Sequence, residues 1–318
     1  MRNISFISTH LQAYRPAAAL LSGGRNTSTA CSGGGSQHAN NGGNNYINQK
    51  GTMKTYLLAV TLSAIAAGAL AGEAPAPVHQ VSGTATVVTD YVFRGLTQTW
   101  HGPAVQGSID YAHTSGIFAS LWASNVSEKV VAGSNAEIDL VLGYKGAIGE
   151  RWSYGAGVIS VFYPGGNWNK MKWGDRPDQR YDFTEANAFV GYQGFSVKYS
   201  HALTDLLGFN EKTGFSRGTK GSGYIEINAD IPLGDTGLTL GLHAGRQDFR
   251  ANAGGMNPDF NDYRLSLSKA FADKWVGTVQ VTENTNKAFF NGSRSNLNEG
   301  DLRDIGKRRV ALTLTRMF

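Results

Sequence analysis

Cysteine is nearly absent from this chain: of 318 residues only Cys31 is one. No disulfide can form within the chain, and from residue 32 onward no thiolate nucleophile or sulfur-ligated metal is available. Acidic residues are absent from the first 71 positions. Five of the 29 Lys+Arg residues lie there (Arg2, Arg15, Arg25, Lys50 and Lys54). Removing these five leaves 24 bases against the 24 acids, so the formal net charge of +5 belongs to the N-terminal stretch. No basic surface for nucleic acid remains. Phosphate-binding loops, dinucleotide fingerprints and clustered histidine ligands are also missing, so neither a cofactor nor a metal is expected.

The N-terminal stretch divides in two. Residues 1–52 hold Gly/Asn tracts without apolar periodicity. They read as a disordered upstream extension from a misassigned start. Residues 53–71 (MKTYLLAVTLSAIAAGALA) join a short positive region at Lys54 to an apolar stretch over Leu57–Leu70 and a small-x-small site at Ala69–Ala71. That order is a secretory signal peptide, too short for a transmembrane helix. Gly72 follows, where a lipoprotein anchor would need cysteine. Residues 72–80 read as a Pro-containing periplasmic leader.

From residue 81 the chain shows a period of two. Twelve strand-like runs are expected, at 81–93, 103–113, 116–126, 135–146, 152–163, 181–192, 194–204, 221–231, 237–249, 259–271, 274–284 and 307–318. Most are longer than the 5–6 residues usual in soluble strands and match the ~9–11 of a tilted membrane strand. Long and short connections alternate without exception, the rhythm of an up-and-down outer-membrane barrel with tight periplasmic turns and long outer loops. Ile225, Ile227 and Ile231 alternate with Glu226, Asn228 and Asp230; Leu238, Leu240 and Leu242 alternate with Thr239, Gly241 and His243. Soluble sheets alternate too, but acids converging on one face suit water and not a dry core. The expected fold is therefore all-β: a closed antiparallel up-and-down transmembrane β-barrel of 12 strands over 81–318.

Aromatics fall near strand ends (Tyr91, Phe93, Tyr111, Tyr144, Trp152, Tyr163, Tyr192, Phe195, Phe271 and Trp275), as interfacial girdles would have them. The last strand places Val310, Leu312, Leu314, Arg316 and Phe318 on one face. This ending resembles that of outer-membrane barrels, whose assembly machinery reads a terminal aromatic strand. Arg316 on the lipid face has to sit at the periplasmic rim, because arginine costs ~2–4 kcal/mol at the bilayer midplane and ~0–1 near the interface. The implied partners are outer-membrane lipid, the barrel-assembly machinery and small solutes. The implied location is the bacterial outer membrane, reached through the periplasm.

The segment Val87–Val126 reads VVTDYVFRGLTQTWHGPAVQGSIDYAHTSGIFASLWASNV. It resembles the Gcw_chp or TorF-type porin family of bacterial outer-membrane proteins. The family's opening matches at Thr89, Asp90, Tyr91, Phe93, Arg94, Gly95, Gln98 and Thr99. Its strand pair matches at Pro103, Ala104, Gln106, Gly107, Asp110 and Tyr111, and its close at Trp122, Ser124 and Asn125. Thr97 stands where serine is usual. The resemblance implies an outer-membrane barrel of unestablished solute and supplies no catalytic residues.

Strand parity assigns a pore wall: Asp90, Arg94, Gln106, Asp110, Glu137, Asp139, Glu185, Lys198, Glu226, Asp230 and Arg264, with Ser108, Asn187, Asn228 and His243 beside them. Asp90 and Arg94, four apart on one face of the first strand, read either as a charged constriction or as members of a cross-lumen ion pair. The excess of acids points to cations. The loop Pro164–Arg180, with Trp168 and Trp173, either runs over the surface or folds inward. The expected function is a porin-like channel for passive diffusion of small polar or charged solutes. The alternatives are a barrel hydrolase and a non-conducting structural or adhesive barrel. For a hydrolase the best local candidate is Ser200-His201…Asp205, but neighbouring strand residues point to opposite faces, so Ser200 and His201 cannot meet. The protein is not expected to be an enzyme.

Overall fold

The computed structural model describes residues 78–271 and 274–318. The expected upstream extension, signal peptide and most of the leader lie outside them. Twelve strands form the wall: β1 (His79–Val88), β4 (Ala104–His113), β5 (Ile117–Asn125), β6 (Ala136–Ile148), β7 (Trp152–Phe162), β8 (Phe183–Tyr192), β9 (Phe195–Ala202), β10 (Gly223–Pro232), β11 (Leu238–Asp248), β12 (Phe260–Phe271), β13 (Trp275–Asn284) and β16 (Arg309–Met317). Two hairpins lie off the wall: β2 (Val92–Phe93) with β3 (Leu96–Thr97), and β14 (Ser293–Ser295) with β15 (Asn298–Arg303). Every wall strand pairs antiparallel with its neighbours. The sheet closes where β1 meets β16, from Thr84↔Met317 to Val88↔Thr313. Closure leaves no edge, the condition for putting a sheet in lipid.

Side-chain parity sorts the two faces. Val87, Ile109, Leu121, Leu140, Leu142, Ile227, Leu265, Leu312 and Leu314 are exposed on the outside. Their strand neighbours Thr86, Gln106, Ser120, Glu137, Asp139, Glu226 and Asp262 are buried inside. The outer surface is thus an apolar band and the interior is polar, the inverse of a soluble barrel. At the short-turn end the band is edged by aromatics: Trp152 sits 4.8 Å from Tyr192, and Phe195, Phe271 and Phe318 are exposed beside them. Arg316 is paired with Trp275 at this same end. Its guanidinium lies 5.5 Å from the Trp275 ring centroid and 5.9 Å from that of Phe318. An arginine on the lipid face is tolerated there because it reaches the interface within its own length.

Two departures from the sequence reading, in the first strand and in the aromatic girdle, have physical causes. The first strand ends at Val88, not residue 93, because the chain turns into the barrel at Thr89, whose N–H makes the last bond to β16 (Leu312 O, 3.0 Å). Its start is His79, so the leader ends two residues earlier than expected. Tyr91, Phe93 and Tyr163 are not girdle residues: Tyr91 and Tyr163 are fully buried, and Phe93 stands on the inward hairpin. The loop 164–180 lies across the mouth: Trp168 stacks on Tyr181 at 5.6 Å and donates to Leu207 O, while Trp173 donates to Ser295 O.

Candidate functional site: an inward hairpin and the charged wall it meets

The connection between β1 and β4 is the feature that shapes the lumen. Arg94 and Gly95 both have left-handed backbone (φ 44° and 76°). Two consecutive residues with positive φ are what a primed two-residue hairpin requires. They join β2 to β3 through the pairs Val92↔Thr97 and Phe93↔Leu96. A second left-handed pair, Trp100 and His101, returns the chain to β4. Thr97 N–H donates to Ile305 O, and Arg303 Nη1 donates to Trp100 O, so the β13–β16 loop clamps the hairpin from outside.

The hairpin crosses the bore. At its tip Arg94 Nη1 and Nη2 reach Glu185 Oε1 and Oε2 at 3.0 and 2.8 Å, and Nη1 also reaches Gln247 Oε1 at 2.7 Å. The guanidinium lies 4.0 Å from the Tyr224 ring centroid and 4.8 Å from that of Phe93. At its base Asp90 accepts from Thr97 and Thr99 Oγ1, lies 3.3 Å from His101 Nδ1 and meets Arg309 Nη1 at 3.4 Å. Tyr91 donates to Glu137 at 2.7 Å and packs edge-on against Trp122. A Cβ on Gly95 would stand 2.9 Å from Asp262 Cβ and 3.1 Å from Asn284 Cβ. The hairpin therefore touches the wall on β5, β6, β8, β10, β11, β12, β13 and β16.

Below the tip lies a second polar group. Lys198 and Glu226 face each other in register and form a buried ion pair. His243 Nδ1 lies 2.7 Å from Asn228 Oδ1 and Nε2 lies 2.9 Å from Asp262 Oδ2. Tyr224 donates to Asp262 Oδ1 at 2.9 Å by passing directly over Gly245, where any Cβ would sit 2.0 Å from the phenol oxygen. Nearer the short-turn end, Asp110 accepts from Ser108 and Ser120, at 2.7 and 2.6 Å. Gln106 donates to Ser124, and Asp230 lies in the field of Arg264.

Nine of the eleven wall residues named from the sequence stand on inward positions of wall strands. Asp90 and Arg94 do not: they lie at the base and tip of the hairpin, where Asp90 meets Arg309 on the neighbouring β16 and Arg94 crosses to Glu185 on β8. Arg94 is in a cross-lumen ion pair with Glu185. Tyr91, Tyr224, Gln247, Asp262 and Arg309 also belong to this network and are not among the pore-wall residues expected from the sequence. Asp262 shares a face with Arg264 two residues on, so parity could have found it. Ser200 is buried inside, whereas His201 is exposed outside beside Tyr199, so the two do not form a catalytic pair. Both nitrogens of His243 are held by Asn228 and Asp262.

The fold and this interior define a transmembrane β-barrel with a charged, hairpin-crossed lumen. The chain belongs to the Gcw_chp family, described as a bacterial protein of unknown function, whose model matches residues 71–318. Comparison with curated proteins yields no match. Among solved structures, the KdgM porin is similar over 74% of this chain and 99% of its own, at 11% identity and a TM-score of 0.42. The NanC porin is similar over 74% and 99%, at 7% and 0.46. The COG4313 outer membrane channel from Pseudomonas putida F1 is similar over 76% and 96%, at 13% and 0.38. At these values the likeness is one of barrel architecture at most.

Proposed function

We propose that this protein is a narrow outer-membrane channel through which small polar or charged solutes diffuse passively. The observation that carries the reading is the inversion of polarity in a closed barrel: an apolar exterior around a wall of acids, bases and hydroxyls. Such a wall suits solutes stripped of part of their water. Gln106, Asp110, Glu137, Asp139, Glu185, Lys198, Glu226, Asp230 and Arg264 project into the interior, where Glu137, Asp139, Glu185 and Lys198 are 0–1% exposed, and the hairpin carrying Asp90 and Arg94 is the constriction. Twelve strands already give a bore narrower than that of 16–18-stranded porins. The hairpin narrows it further, so a low conductance is expected.

Ionic preference is weaker than the count of acids suggests. Glu185, Glu226 and Asp90 each have a cationic partner within 3.5 Å, so their charge is largely spent inside the wall. Export through the periplasm and insertion by the barrel-assembly machinery, reading the strand that ends in Phe318, complete the proposal. Planar-bilayer recording with a panel of solutes tests it. Stepwise conductance with low unitary current is expected, and a protein folded in the bilayer that never conducts would overturn the reading in favour of a structural barrel.

A further inference from the structure

We propose that the chamber on the outer side of the hairpin binds small molecules built on one apolar ring with at most one polar substituent. The inference rests on the channel reading, because a solute entering from the loop side meets this chamber before the charged wall. The chamber holds about 220 Å³. Its floor is the hairpin (Phe93, Arg94 and Leu96), and its sides come from five outer loops and the strand ends they join. Aromatic rings follow one another around it: Trp168 lies 5.9 Å from Phe209, Phe209 lies 6.3 Å from Phe249, and Phe260 lies 5.4 Å from Phe290.

Size sets an upper limit on the occupant. An apolar cavity of about 150 Å³ accepts benzene, so 220 Å³ accommodates a ring with a few added atoms and excludes a disaccharide. Lining chemistry sets the class. Most polar groups that reach the floor and side are engaged within the protein: Arg94 with Glu185 and Gln247, Thr97 Oγ1 with Asp90, Gln98 Nε2 with Leu96 O, Gln247 Nε2 with Gly223 O, and Trp168 Nε1 with Leu207 O, which leaves the Asn296 amide to meet a single polar substituent. A hydroxyl-rich solute would lose its water there without matching partners, which is costly. An aromatic ring gains edge and face contacts with the surrounding rings.

The probe is 4-iodophenol, soaked into crystals of the purified protein and titrated against its tryptophan emission in detergent. An iodine peak in the chamber is expected, together with saturable quenching that Trp168→Phe removes. Filling the space with Val130→Phe is expected to abolish the peak while leaving heat-resistant barrel migration unchanged. Leu206→Phe is the second filler should the first fail to fold. The inference is overturned if iodine is absent from the chamber of the wild type, or if glucose at equal concentration displaces it. Iodine bound in a protein that conducts nothing sinks the channel reading and keeps the site. Conduction with an empty chamber does the reverse.

Discussion

Arg94 sets both terminal guanidinium nitrogens on Glu185, closing a contact between residues 91 positions apart in the chain. Both side chains are almost fully buried. Removing one member of such a pair leaves a charge without compensation and costs about 3–5 kcal/mol. Arg94→Ala is therefore expected to lower stability in urea by that order and to raise single-channel conductance, because the tip of the hairpin is released. The double variant Arg94→Ala with Glu185→Ala is expected to recover part of the stability and keep the wider bore. Unchanged conductance in both would show that the hairpin is no constriction.

Gly95 tests the same element by shape. Its φ of 76° is left-handed, and an added Cβ would press on Asp262 and Asn284. The backbone cost alone is about 1–2 kcal/mol for a non-glycine residue. Gly95→Ala is expected to expose the 89–102 segment to limited proteolysis and to raise conductance as Arg94→Ala does. A protease-resistant, low-conducting variant would mean the tip tolerates a methyl group and docking is looser than these distances imply.

The Lys198–Glu226 pair contributes little as a pair but makes the removal of one partner expensive. Lys198→Met alone is expected to destabilise by about 3–5 kcal/mol, and Lys198→Met with Glu226→Gln to come close to the parent. Equilibrium unfolding in lipid vesicles reads both. Additive losses would contradict coupling between the two charges.

Depth along the terminal strand gives a fourth expectation. Leu312→Arg puts a cation in the apolar band and is expected to cost about 2–4 kcal/mol. Arg316→Leu, at the rim, is expected to change stability by no more than ~1. Phe318 N–H donates to Gly83 O at 3.0 Å and its ring meets Arg316, so deleting it is expected to reduce outer-membrane yield. Normal yield would remove the terminal residue from the assembly signal.

In the outer loops, the Lys129 ammonium 2.8 Å from Asp301 holds that carboxyl below its ordinary value of 3.8. A lowered folded-state value means the contribution is present above the unfolded value and is lost as pH falls through the folded one. Lys129→Ala is therefore expected to loosen the β14–β15 loop at neutral pH and to make little difference once acid has protonated that carboxyl. Hydrogen exchange over 293–303 at the two pH values measures it. The effect is small and falls with added salt, since the carboxyl is solvent-exposed.

Much of the wall was legible because a strand in lipid has only two faces. Once Ile225 and Ile227 are placed outside, Glu226 and Asn228 can only be inside, and the same step places Glu137, Asp139, Glu185 and Lys198. The hairpin defeated this reasoning because Asp90 and Arg94 continue the parity of β1 for several residues after the strand has ended. Arg94-Gly95 carries the family resemblance, but its role as a primed turn shows only in the backbone angles. Trp168 and Trp173 fall in a loop by sequence, yet the groups they meet, Phe209 for Trp168 and the Arg294 guanidinium for Trp173, come from other loops.

By itself the sequence determined the closed antiparallel barrel, its strand number, the polarity of its two faces and the rim position of Arg316. These follow from local spacing, because alternation along one strand is a property of neighbours. Only the tertiary structure decided that the first long connection enters the lumen, that Arg94 meets Glu185, and that outer loops enclose an apolar chamber above them. Those contacts join residues tens to hundreds of positions apart. They depend on which wall residues closure brings opposite one another, and no single strand's pattern carries that information.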